Sequence, residues 1–327
     1  VILRNIAKPL HFKLGILSDK GKYMFDISDE VQRAWELNAP TVALESTVIT
    51  HGLPIPQNME LARDMEAKIR EQGAIPATVA LLDGKIRVGI DDSELEKLAN
   101  AKDPVKVSRR DFAKAIVKKL DGGTTVAGTM LAAEQAGIRV FATGGIGGVH
   151  REGHMDISTD LQALSDTPII VVCAGAKSIL DLPATLEYLE TMAVPVVGYK
   201  TDEFPAFFSR KSGLKVSVRL DSPEEIADFA KAHWDLGIKS AILVTNPIPE
   251  DFSLDDDFIN PIIAQASQDA QDRSIQGQAL TPFLLARINK LSKGRSLKSN
   301  LVLLHNNATL AAKIAKVMTK REGRKNI

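Results

Sequence analysis

Two short apolar runs, residues 138–142 and 168–173, constrain the fold of this chain more than any other feature. Both are rich in β-branched residues, as buried strands are. Each empties into small residues, where a backbone can approach a ligand closely. The first runs into Thr143-Gly-Gly-Ile-Gly-Gly148, the second into Ala174-Gly-Ala-Lys177. In open α/β sheets ligands sit outside the carboxyl ends of the strands, so chemistry is expected at these two turns. His150, Asp156, Asp160 and Lys177 all follow them.

The rest of the chain alternates in the same way. Residues 41–52 read as a strand ending in polar residues, and Pro54 and Pro56 set a turn. Residues 57–72 read as a helix with Met59, Ala62, Met65 and Ile69 along one stripe and Gly73 as its stop. Residues 77–82 and 85–90 read as a β-hairpin around Asp83-Gly84, a pair that suits a type I′ turn. Ser93 with Glu96 reads as a capping box. Residues 105–108 suggest a short strand, 109–120 a helix, and Gly122-Gly-Thr-Thr-Val126 a turn that opens another helix. A helix over 177–192 should kink or restart at Pro183. Strands over 194–199 and 240–244 flank a helix over 223–236, and Asn246-Pro-Ile-Pro249 forms a rigid turn. Helices over 258–275, 281–292 and 300–320 complete the chain. Strands alternating with helices predict a layered α/β fold. Residues 1–27 read as an extension and 28–327 as a single domain.

Lys and Arg number 41 and Asp and Glu 41, so the net charge of zero gives no reason to expect nucleic acid or a membrane surface as partner. One cysteine, Cys173, excludes an internal disulfide and fits a reducing compartment. The first 18 residues hold Arg4, Lys8 and Lys13 and no acid, a weak organellar signal. A cytoplasmic location is expected, with mitochondrion or peroxisome as alternatives.

A G-x-G-x-x-G frame from Gly145 would need glycine where His150 stands, so a dinucleotide fold is not expected. The glycines can offer backbone N–H groups to an anion, or simply make a tight turn. Gly122 to Val126 offers a second anion site at a helix start, or a plain start. Lys177 leaves a buried strand among small residues. Desolvation there would favour the free amine, which can attack a sugar aldehyde, whereas a solvated lysine at a helix start would do nothing. Glu45, after Val-Ala-Leu, can be a general acid or can accept backbone hydrogen bonds. Asp156 and Asp160 suit Mn²⁺ or Mg²⁺ held partly by water, or are merely solvated or capping. His150 and His154 lack zinc spacing. Lys106 could contact a phosphate or carbonyl.

Several long motifs then occur in one order: Ala43-Leu-Glu-Ser-Thr47 with His51-Gly52, Lys106-Val-Ser-Arg-Arg-Asp111, and Phe141-Ala-Thr-Gly-Gly-Ile-Gly-Gly-Val-His-Arg151. Asp156-Ile-Ser158, Ala174-Gly-Ala-Lys-Ser178, Asp202-Glu-Phe-Pro-Ala-Phe-Phe208, Asn246-Pro-Ile-Pro249 and Thr281-Pro-Phe-Leu-Leu285 follow. Over roughly residues 28–318 the chain resembles the pseudouridine-5′-phosphate glycosidases of the indigoidine synthase A-like family. The basic tail (Lys320, Arg321, Arg324, Lys325) is not a family feature.

The resemblance implies a three-layer α/β/α fold with a mostly parallel central sheet and a helical C-terminal region. It implies reversible, lyase-type cleavage of pseudouridine 5′-phosphate to uracil and ribose 5-phosphate, Mn²⁺ dependence and a homotrimer. By motif position Glu45 is the proton donor, Lys177 the Schiff-base nucleophile and Asp156 the metal-associated aspartate. Lys106, Val126, Ser158, Thr159 and Asp160 match substrate contacts, and His150 and Asn300 face the same pocket. A C–C glycoside has no leaving heteroatom to protonate, so the carboxylate pair of an ordinary glycosidase would not suffice. The alternatives are a Schiff-base aldolase acting on a sugar phosphate and a non-catalytic nucleotide-binding protein.

Overall fold

A computed structural model describes residues 24–53, 55–151 and 156–323. The readings made for residues 1–23, Pro54, His154, Arg324 and Lys325 lie outside them. In chain order the strands are β1 (Phe25–Ile27), β2 (Thr41–Leu44), β3 (Ile75–Leu82), β4 (Lys85–Val88), β5 (Val105–Val107) and β6 (Gly122–Thr124). Then come β7 (Val140–Ala142), β8 (Val149–His150), β9 (Ile170–Cys173), β10 (Leu180–Asp181), β11 (Val196–Tyr199), β12 (Val218–Leu220) and β13 (Ile242–Thr245). The helices are α1 (Asp29–Glu36), α2 (Gln57–Glu71), α3 (Asp92–Ala99), α4 (Phe112–Val117), α5 (Val126–Gln135) and α6 (Thr159–Asp166). They continue with α7 (Leu182–Thr191), α8 (Pro223–Asp235), α9 (Asp256–Asp272), α10 (Leu280–Leu291) and α11 (Arg295–Gly323).

One sheet runs β1-β4-β3-β2-β7-β9-β13-β11-β12, with β6 on β3 and β5 on β6. Its neighbours are parallel except β3 with β4 and β3 with β6. Strands β7, β9 and β13 are buried along their whole length, which is why they lack polar alternation. Helix α11 crosses β2, β7 and β9 with α2 and α8 beside it, and α5, α6 and α7 form the other helical row. The fold is the expected α/β sandwich of helices around a mostly parallel sheet, with a helical C-terminal region. No helix among the described residues is long and apolar enough to cross a membrane.

Local chemistry explains both the agreements and the corrections. The hairpin forms as expected, with Asp83 at φ 50° and Gly84 at φ 74°, the left-handed pair of a type I′ turn. The capping box of α3 is Asp91 with Glu94, not Ser93 with Glu96; the Ser93 hydroxyl instead donates to Asp91. Phe25–Ile27, read as the end of an extension, adds an edge strand on β4.

Three further corrections shape the site. The strand expected over 41–52 stops at Leu44, and Val48–Gly52 forms a π-helical turn. The Ser46 hydroxyl drives this exit: it donates to Val79 O at 2.6 Å and accepts from Thr124 N at 3.0 Å. Gly122–Thr124, expected as a turn, is a buried strand. A Cβ on Gly122 would lie 2.4 Å from Val105 O, and one on Gly123 2.7 Å from Ser46 O, so only glycine lets these backbones close. Lys177 does not start a helix. Pro183 fixes the start of α7 at Leu182, behind an Asp181 cap, and Leu180–Asp181 pairs with Val149–His150.

Candidate active site

A cavity of about 690 Å³ opens beyond the carboxyl ends of β2, β7 and β9. All ten residues singled out from sequence line it: Glu45, Lys106, Val126, His150, Asp156, Ser158, Thr159, Asp160, Lys177 and Asn300.

Glu45 is the first residue past β2. Thr143, at the tip of β7, donates its hydroxyl to Glu45 Oε1. Burial pushes the Glu45 carboxyl above the ordinary range, opposed by the Lys177 charge and by the Thr143 hydrogen bond. Lys177 extends the line of β9. Its backbone N–H donates to Ile146 O at 3.1 Å, and Arg151 donates to the carbonyls of Ser178 at 2.9 Å and Leu180 at 3.1 Å. The lysine is therefore held on a backbone tied to the glycine turn. Lys106 sits in β5, where burial first and then the Lys177 charge push its ammonium down. Burial lowers His150 as well, while Asp156 pulls it up.

Part of the glycine turn is already engaged by the protein, while Gly144 and Gly145 line the cavity. The N–H of Ile146 donates to Gly175 O at 3.1 Å, that of Gly147 to Asp160 Oδ2 at 2.8 Å and that of Val149 to Thr185 Oγ1 at 3.0 Å. The glycines are needed because neighbours come close: a Cβ on Gly145 would meet the Phe207 ring at 2.7 Å. Asp160 Oδ1 also accepts from Ala127 N at 3.0 Å, so one carboxylate joins the turn to the start of α5. Val126 heads that helix behind a Thr125 cap. Ser158 caps α6, and Thr159 Oγ1 lies 2.8 Å from Ser108 Oγ.

Asp160 thus has both oxygens on backbone amides, which favours Asp156 over it as a candidate cation ligand, with the His150 ring near enough to feel its charge. Among the described residues there is no group of three or more His, Cys, Asp and Glu placed to hold a metal. This donor set fits a hard cation that keeps most of its water shell, not a caged one.

The fold brings further residues here that the sequence does not mark as site residues. Phe207 and Phe208, ring centroids 4.8 Å apart and edge to face, form one wall. The His51 ring, hydrogen-bonded through Nδ1 to Thr50 Oγ1 at 2.7 Å, forms another part. Asn289 of α10 lines the cavity too, with a buried Oδ1 that has no partner among the described residues. His51, Phe207 and Phe208 belong to motifs named above and Asn289 only to an expected helix, and nothing local in any of them points at β2 or β9.

Residues 30–317 match the family described as indigoidine synthase A like protein. A protein of Caldanaerobacter subterraneus subsp. tengcongensis named pseudouridine-5′-phosphate glycosidase is 53% identical over 297 residues, 90% of this chain and 97% of the relative. One of Rhizobium johnstonii named pseudouridine-5′-phosphate glycosidase 2 is 56% identical over 291 residues, 88% and 94% of the two chains. The crystal structure of the prealnumycin C-glycosynthase AlnA in complex with ribulose 5-phosphate superposes with a TM-score of 0.85 at 39% identity, covering 92% of this chain and 99% of that one. That of an indigoidine synthase A-like protein from Thermotoga maritima gives 0.83 at 35% identity, covering 90% and 97%. The chain belongs to the indigoidine synthase A like protein family.

Proposed function

We propose that this chain cleaves the C–C glycosidic bond of pseudouridine 5′-phosphate, reversibly, to give uracil and ribose 5-phosphate. The observation that carries the reading is that Glu45 and Lys177, from the tips of β2 and β9, line one cavity in a chain whose curated relatives bear that activity in their names. The ribulose 5-phosphate held by a related structure supports a pentose 5-phosphate as the sugar.

Lys177 Nζ bonds to C1′ as the C1′–O4′ bond breaks, and O4′ takes a proton from Glu45. The new amine returns a proton to the Glu45 carboxylate. Its lone pair then forms C1′=N as the C1′–C5 bond breaks, and uracil C5 carries away the electron pair. Glu45 protonates C5, and water hydrolyses the iminium to ribose 5-phosphate and free lysine. A carboxyl raised by burial keeps its proton to higher pH than an exposed one, which suits it to the donor role. Lys106, Ser158 and Thr159 bind the sugar phosphate, and His150 and Asn300 border the base. Mn²⁺ on Asp156, completed by water, would offset charge on substrate oxygens.

Release of uracil from pseudouridine 5′-phosphate, followed chromatographically with Mn²⁺ present, tests this reading. Borohydride reduction with ribose 5-phosphate should leave a stable adduct on Lys177 by mass spectrometry. No uracil and no adduct would overturn it; an adduct without uracil release would favour an aldolase.

A further inference from the structure

Three buried polar residues that this chemistry leaves unused, Asn246, Asn307 and Thr143, are linked in series across the strand tips, the last two through the Thr143 main-chain carbonyl. Asn307, in α11, is fully buried beside Leu303, Leu304, Ala308 and Ala311. An amide among such neighbours is costly unless all its groups are paired. Here they are: Nδ2 donates to Thr143 O at 2.8 Å and Gly144 O at 3.4 Å, and Oδ1 accepts from Asn246 Nδ2 at 3.1 Å. The backbones involved are anchored on β9, since Thr143 N donates to Val172 O at 3.0 Å and Asn246 N to Cys173 O at 2.8 Å. The Asn246–Asn307 pair therefore joins the tips of β7, β9 and β13 to α11.

Thr143, itself fully buried, ends the series by donating to Glu45 Oε1. That bond leaves Oε2 to carry and deliver the proton. An apolar side chain at position 307 would fill this space with less desolvation, so the amide is expected to serve placement.

We propose that Thr143 and Asn307 are positioning residues for the reaction: Asn307, braced by Asn246, fixes the Thr143–Gly144 carbonyls, and Thr143 thereby holds the Glu45 carboxyl in one orientation. The inference rests on the role proposed for Glu45. Lys177, Asp160 and Lys106 also act on that carboxyl and stay unchanged in the variants below.

The test compares Thr143→Val, which keeps shape and loses the donor, with Thr143→Ser and Asn307→Leu. The kcat, KM, pH profile, melting temperature and borohydride trapping of Lys177 are read for each. In Thr143→Val, kcat should fall about tenfold or more, with KM within about threefold. The alkaline limb, where Glu45 loses its proton, should move to higher pH, because the carboxylate no longer receives the hydroxyl. Thr143→Ser should restore both, trapping should persist throughout, and Asn307→Leu should shift the same limb in the same direction while remaining folded. An unchanged kcat and limb in Thr143→Val and Asn307→Leu, in a wild type that releases uracil, would overturn the inference alone. A wild type that releases no uracil overturns the function, and this inference with it.

Discussion

Asp160 Oδ2 accepts the backbone N–H of Gly147 at 2.8 Å, and the other oxygen of the same carboxylate accepts from Ala127 at 3.0 Å. One side chain thus fixes the distance between the glycine turn and the start of α5. It does so from a residue only 5% exposed. Asp160→Ala orphans both donors and should cost about 2–4 kcal/mol of stability. Asp160→Asn, which keeps one acceptor, should cost about half that. Denaturant unfolding monitored by circular dichroism decides the matter: an Ala variant as stable as wild type would show that the clamp is dispensable.

Gly147 also packs closely against the oxygen that accepts its N–H. A Cβ there would lie 2.2 Å from Ser158 Oγ and 2.7 Å from Asp160 Oδ2, both held in place by capping and clamping bonds. Gly147→Ala should therefore destabilise by about 1–3 kcal/mol through overpacking. It should also raise KM by displacing Ser158. Melting curves and KM together check this, and a variant with unaltered values for both would contradict the rigidity argued here.

Glu45 should be costly to the fold in proportion to its charge. Its carboxyl is raised by burial, so in the window above the ordinary Glu range the unfolded state releases its proton before the folded state does. The stabilising contribution is full below the unfolded value and is lost as pH rises through the folded one. Glu45→Gln removes the ionisation. The variant should melt above wild type, by a margin that widens from acidic pH to pH 8, while kcat falls at least about a hundredfold. A melting difference that narrows over that range would reverse the sign and reject the assignment of cause.

Sequence made the location of the site legible because strand tips announce themselves locally. Apolar β-branched runs that give way to glycine and alanine marked the ends of β7 and β9, and Lys177, Asp156 and His150 lay just beyond. The Asp83-Gly84 hairpin was legible for the same reason, a local backbone requirement written in two residues. What was hidden is held by distant partners. Asn307 reaches Thr143 across 164 positions, and nothing in the helical pattern of α11 distinguishes that amide from a surface one. Gly122 and Gly123 looked like a turn because glycine usually marks one. Here the missing Cβ admits the backbones of β5 and Ser46. The glycines at 144–148 suit either an anion cradle or a tight turn, and only the fold shows Asp160 and Gly175 already accepting from Gly147 and Ile146.

Lys177 can be removed with little structural consequence. Its backbone bonds to Ile146 and Leu180 do not involve the side chain, and the neighbouring Lys106 ammonium is pushed down partly by the Lys177 charge. Lys177→Ala should keep the wild-type fold within about 1 kcal/mol and lose about a thousandfold or more in kcat. Borohydride trapping should vanish in the variant, and Lys106 should not substitute. Circular dichroism, turnover and adduct mass read the three parts. Near-normal turnover in Lys177→Ala would remove the amine from the chemistry.

The two aspartates should separate in their response to metal. Among the described residues, Glu45, Asp156 and Asp160 are the carboxylates that line the cavity, and those of Asp160 and Glu45 already have hydrogen-bond partners. A hard cation retaining most of its water would then lean on Asp156, and the neutral form of His150 favoured by burial does not repel it. Asp156→Asn should raise the Mn²⁺ concentration needed for half-maximal activity by about tenfold or more. The Mn²⁺ signal in electron paramagnetic resonance should show weaker binding without substrate, and the melting temperature should hardly change. Asp160→Asn should do the opposite, lowering the melting temperature with Mn²⁺ binding near wild type. If Asp156→Asn instead lowers stability and leaves Mn²⁺ binding intact, the cation does not sit on Asp156.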